Sequence, residues 1–114
     1  MHEVSIALNI LEIATENCRK AGYERIESIR VKIGRASGIM PDALLFAFDA
    51  VKIDTIASEA VIIIDEVSVG GLCSNCGKDF VTEEKYVLCC PKCGGSSFKI
   101  KAGRELEIMD MEVF

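Results

Sequence analysis

The 114-residue chain has very little histidine: His2 is the only one. A metal site built from several imidazoles is therefore excluded. Long hydrophobic runs are also missing. The longest are "ALLFAF" at Ala43–Phe48 and "AVIII" at Ala60–Ile64, far short of the roughly 18 residues a membrane span requires. The opening "MHEVSIALNILEIATENC" lacks a basic start and carries glutamates through its apolar stretch, so it does not read as a secretory signal. The expected compartment is the cytoplasm, with no membrane partner. Positive charge is in deficit as well, with a formal charge of −5 and a pI near 4.9. A nucleic-acid binder needs cations to replace counterions along the phosphates, so this balance argues against one. Repeats and low-complexity runs are absent.

What is present is a globular composition. Half the residues are hydrophobic and about a quarter are charged. The length suits one domain with a real core and a small appendage. From Glu3 to Ala21, Ile6, Leu8, Ile10, Leu11, Ile13, Ala14 and Cys18 recur at helical spacing. Gly22 stands where that helix should end. "IESIRVKIG" alternates as a half-buried strand, with Ile29, Val31 and Ile33 on one face and Arg30 and Lys32 on the other. A second helix restarts near Pro41, with Asp42 at its positive end. Its body is apolar nearly all round, which predicts deep burial or cover by a partner. "AVIIIDEVSV" reads as a β-branched strand stopped by Gly70–Gly71. "RELEIMDMEVF" reads as a last strand returning to the first domain. Its apolar phase shifts between Ile108 and Met109, which predicts a bulge or burial on both faces.

Texture changes at Leu72. Cys73-x2-Cys76 is followed, thirteen residues later, by Cys90-x2-Cys93, and a glycine follows each pair. Two residues between thiolates let one tight turn present both sulfurs to one ion. Four thiolates in a tetrahedron suit zinc in a closed structural site. So short a segment cannot bury enough apolar surface to fold alone. Metal binding would supply the missing stability, about 10–16 kcal/mol in comparable small peptides. Iron is the rival, since "CPKCG" also resembles rubredoxin knuckles; the polar surroundings "SNCGKD" and "PKCGGSS" favour zinc. Cys89 adjoins Cys90 and competes with it as a ligand, though the spacing favours Cys90. Cys18 lies on the apolar stripe of the first helix and reads as a small buried hydrophobe. Four lysines between Cys73 and Lys99 face three acidic residues, and the only aromatics are Phe80, Tyr86 and Phe98. No basic track with stacking rings emerges.

The other candidate site is the amino terminus. The α-amine of Met1, the backbone amide of His2 and the His2 imidazole can lie in one plane. The amide or the carboxylate of Glu3 could fill the fourth corner. Planar nitrogen coordination selects Ni(II) or Cu(II) rather than zinc. The amine titrates at about 7.7–8.0 and imidazole at about 6.5, so such binding weakens as pH falls. The plain alternative is a solvated histidine ahead of a helix, with Glu3 favourable there for dipole reasons alone. The residues by themselves do not separate the two.

The chain as a whole resembles the HypA/HybF family of hydrogenase-maturation nickel metallochaperones. The resemblance lies in "MHEVSIA" at the start, "GIMPDALLFAFD" in the middle and C-x-x-C…C-P-x-C-G in the last third. It implies that Met1, His2 and Glu3 bind nickel as transient cargo, and that Cys73, Cys76, Cys90 and Cys93 hold structural zinc. It implies metal transfer and no enzymatic activity. The expected partners are a maturation GTPase of the HypB family and the precursor of the [NiFe]-hydrogenase large subunit; some relatives also serve urease. "CGGSS" departs from the single glycine common before serine in the family, and Cys89 lies outside the family pattern. The expected fold is α+β: two helices on a small three-stranded mixed sheet, formed by 1–70 with 101–114, and a zinc ribbon inserted at 71–100. The competing reading is a zinc-ribbon module that binds nucleic acid or protein.

Overall fold

A computed structural model describes residues 2–114, except the side chain of His2. The elements run α1 (His2–Lys20), β1 (Ile26–Gly34), α2 (Pro41–Val51), β2 (Val61–Val67), β3 (Val69–Cys73), β4 (Asp79–Thr82), β5 (Phe98–Ala102) and β6 (Leu106–Val113). They form two three-stranded sheets, ordered β2-β1-β6 and β4-β3-β5. The α+β class expected from the sequence is the class observed. The chain divides into two compact units. One holds the residues up to Val31 with Ile39–Asp65 and Glu107–Phe114; the other holds Lys32–Gly38 and Glu66–Leu106. The cysteine-bearing unit thus extends beyond 71–100 on both sides.

In the first unit, α1 packs against α2. The buried seam of α1 is Glu3, Ala7, Ile10, Leu11, Ala14 and Cys18. This corrects the stripe read from composition: Leu8 and Ile13 are each 49% exposed. At 100° per residue they flank the seam, while Ala7 and Glu3 complete it. The fully buried alanines let the helices approach closely. Gly22, at φ +87°, closes the helix, with Tyr23 N–H donating to Cys18 O and Gly22 N–H to Arg19 O, both at 3.0 Å. Those paired reversed bonds satisfy carbonyls that the helix end would leave bare. Cys18 is fully buried, and its thiol lies 3.7 Å from Arg25 O.

β1 occupies the centre of its sheet and buries Ile29, Val31 and Ile33. Arg30 faces the other way and reaches Asp65 on β2 at 4.0 Å and Asp110 on β6 at 3.7 Å. Such exposed pairs contribute at most about 1 kcal/mol each, but they match the three strands in charge. β6 lies beside β1 and supplies the third strand. Met109 is 47% exposed, so the phase shift at Ile108–Met109 does not mark burial on both faces; β6 is an edge strand with one neighbour. α2 buries Leu44, Ala47 and Phe48 and turns Phe46 outward, 80% exposed. Its apolar body is therefore buried on one side only.

In the second unit, Gly70 and Gly71 do not stop a strand. They lie inside β3, the central strand, paired with β4 and β5. The sequence reading misses this because two glycines look like punctuation. The physical reason is close approach. A Cβ on Gly71 would lie 2.6 Å from Lys99 O and 2.7 Å from Phe80 Cζ, and the ladder to β5 shifts register between Gly70 and Gly71. Phe80 and Phe98 meet edge to face at 5.8 Å beneath the sheet. Phe80 forms the small core with Cys73 and Cys90, and the partly buried Phe98, Cys76, Val87 and Ile100 pack against it. Gly71→Ala should cost about 1–3 kcal/mol through overpacking, read as a lowered melting temperature of the metal-loaded protein.

Candidate metal centres

The four-cysteine centre is built from two similar turns. Cys73 ends β3, and the chain turns at Gly77 (φ +71°), whose N–H donates to Cys73 O at 2.9 Å. The second turn repeats this at Gly94 (φ +76°), whose N–H donates to Cys90 O at 2.8 Å. Both glycines take a left-handed conformation that a side chain would strain. Backbone N–H groups then point at sulfur: Cys76 N–H to Cys73, Lys92 N–H to Cys90 and Gly95 N–H to Cys93, each at 3.4 Å. Donors of this kind stabilise negative sulfur and orient it.

The four sulfurs all lie within 4.8 Å of one another. Cys73 and Cys93 are 3.5 Å apart, Cys76 and Cys90 3.9 Å. A tetrahedron with metal–sulfur bonds of about 2.3 Å has edges of about 3.8 Å. A disulfide would need about 2.05 Å, and all six cysteines are free thiols. The donor set and its spacing therefore fit a tetrahedral ion such as zinc. Cys90 enters the cluster; Cys89 is exposed and stays outside it.

Two thiols are perturbed in opposite directions. The Asn75 amide, then the Gly95 N–H and the Cys73 thiol, pull Cys93 down to about 6. At Cys76 the Lys78 backbone N–H works to lower the value, but burial and the thiols of Cys73, Cys93 and Cys90 together push it up to about 11. A cation is therefore needed to strip Cys76 at neutral pH. Metal must displace protons from the cluster, so affinity falls as pH falls. The fall should steepen below about pH 6, where Cys93 also takes up its proton. Competition with a zinc chelator at about pH 7 and about pH 5 measures it.

Asn75 is a functional residue that sequence reasoning missed. Its Nδ2 lies 3.5 Å from Cys93 Sγ. A Cβ on Gly95 would lie 3.0 Å from that same nitrogen. The second glycine of "CGGSS" therefore leaves room for the Asn75 amide against the cluster.

At the other candidate site, Met1 and the His2 side chain lie outside the described residues. Glu3 is described. It stands in the first turn of α1, is 8% exposed, and accepts the Met40 N–H at 3.3 Å. The backbone amides of His2 and Glu3 belong to the first helical turn, where N–H groups have no intrahelical acceptor. Among the described residues no helix is long and apolar enough to cross a membrane.

A family model for hydrogenase/urease nickel incorporation, the metallochaperone HypA, matches residues 1–113. The chain belongs to this family. Among its HypA relatives is the hydrogenase maturation factor HypA of Rhizobium leguminosarum bv. viciae, 40% identical over 99% of both chains. Another is that of Chlorobium luteolum, 39% identical over 97% of this chain and 94% of the relative. The solution structure of the nickel metallochaperone HypA from Helicobacter pylori superposes with a TM-score of 0.69 over 99% of this chain and 97% of that one, at 24% identity. A second HypA solution structure reaches 0.72 at 23% identity. At that identity the two structures speak for the HypA fold. The family is one of nickel metallochaperones of hydrogenase and urease nickel incorporation, and this chain carries a cysteine cluster that could hold a metal ion.

Proposed function

We propose that this protein binds Ni(II) through Met1, His2 and Glu3 and delivers it to the precursor of a [NiFe]-hydrogenase large subunit in the cytoplasm. It carries structural zinc on Cys73, Cys76, Cys90 and Cys93. The observation that carries the reading is the match of residues 1–113 to a nickel-incorporation family, in a chain that reads Met-His-Glu at its start and places Glu3 in the first turn of α1.

The chemistry follows from the donors. The amine, the His2 amide and the imidazole close two small chelate rings, and planar nitrogen sets favour Ni(II) over zinc. A carrier must also release its ion. An open tip is reachable by a client's own ligands, whereas a closed cage is not. Transfer of this kind makes and breaks only metal–ligand bonds, so no catalytic residue is required and the protein is no enzyme. Zinc, when bound, would offset half the charge of the four thiolates and cross-link the two turns. A GTPase of the HypB family is the proposed supplier or acceptor of nickel, and a urease maturation protein is a further client.

The test is Ni(II) titration of the native chain beside His2→Ala and a chain whose amine is acetylated. Unchanged nickel uptake by the acetylated chain would refute the amine as a ligand.

A further inference from the structure

Helix α2 begins without a cap of its own. Met40 sits at its N-cap, extended at φ −90° and ψ 112°, and makes no side-chain cap bond. The residues favoured there carry a side-chain oxygen, and methionine has none. The acceptor comes from α1, 37 positions earlier: Glu3 Oε2 takes the Met40 N–H at 3.3 Å. Glu3 also lies in the first turn of α1. One carboxylate therefore serves the positive ends of two helices. A glutamate only 8% exposed is seldom found without a partner, because burying an uncompensated charge is costly.

We propose that Glu3 is a positioning residue for the nickel-binding tip, its carboxylate tying the start of α1 to the start of α2 instead of ligating the metal. This rests on the reading of the amino terminus as the nickel site. Glu3 is the last residue of the chelating tripeptide and the one that the fold grips. Anchoring it fixes where the nitrogen donors ahead of it emerge. Glu3 Oε2 is engaged at Met40, and in this proposal the contribution of Glu3 to the metal is assigned to its main chain. The tie also links the cargo site to α2, the helix that exposes Phe46.

Met40→Pro tests this from the far side. It deletes the donor N–H and leaves Glu3 and the whole tip unaltered. Met40 already has an extended backbone ahead of Pro41, a conformation close to that of proline. Far-UV circular dichroism checks that the helices persist. Met40→Pro and Glu3→Ala should each weaken Ni(II) binding by about tenfold, as loss of an outer-shell partner does, with the nickel absorption bands unmoved. Glu3→Gln keeps an acceptor oxygen and should lose less affinity than Glu3→Ala. In metal-free protein the Met40 amide should exchange with solvent faster in Glu3→Ala than in Glu3→Gln.

Native nickel affinity in Met40→Pro would overturn the tie. So would a shift of the nickel bands in Glu3→Gln, which would put the carboxylate on the metal, or a Met40 amide indifferent to Glu3→Ala. A native protein that takes up no nickel would instead overturn the function proposed above.

Discussion

Acetylating the amine of Met1 is expected to lower Ni(II) affinity by about a hundredfold or more, about 2.8 kcal/mol, and to leave zinc binding at the four cysteines unchanged. Peptide nitrogen gives up its proton to a metal only where neighbouring donors already hold the ion beside it. In the proposed site the amine and the imidazole flank the His2 amide, so loss of either would open one chelate ring and remove that assistance. His2→Ala is expected to fall as far as the acetylated chain. Competition with a nickel-sensitive dye measures both, and zinc content measured alongside should stay at about one ion per chain. Extending the chain is informative only with several added residues. A single one would place the imidazole third from the amine with two amides between them, and that set can itself complete a square plane.

The second large effect is expected at Cys90. Cys90→Ser should lose zinc and unfold the cysteine-bearing unit, whereas Cys89→Ser should keep native zinc and a native melting temperature. Cys90 is buried within the four-sulfur cluster and packs in the same small core as Phe80. Cys89 is exposed and outside the cluster. The core of this unit holds few large apolar groups, so a metal bound there would be its main staple. Structural zinc contributes about 10–16 kcal/mol in small folds, more than the total stability of a typical domain. Zinc content with thermal melting reads the pair. Zinc lost equally from both variants would move the ligand assignment.

Much of this was legible from residues close together in the chain. The turns Cys73–Gly77 and Cys90–Gly94 each carry their own thiols and the glycine that reverses the backbone. Gly22 ends α1 and Pro41 opens α2 by local conformational preference. The strand alternation of Ile29, Val31 and Ile33 survives because its period records one buried face. Other readings failed where a residue answers to something distant. Gly70 and Gly71 look like a stop, but they are the points at which β3 admits Lys99 and Phe80. Leu8 looks like core by type, but the direction of the α1–α2 seam excludes it and places Glu3 inside.

The sequence by itself determined the chemistry: which thiols can share one ion, which nitrogens stand at the tip, and where the helices begin and end. Only the tertiary structure decided that β6 pairs beside β1, that Asn75 is aimed at Cys93, and that Glu3 caps a helix 37 residues away. Local geometry is carried by bonds between neighbours, so a short run of residues states it completely. Partners far apart in the chain meet only after the packing of whole elements has set their distance and direction, and no short run contains that information.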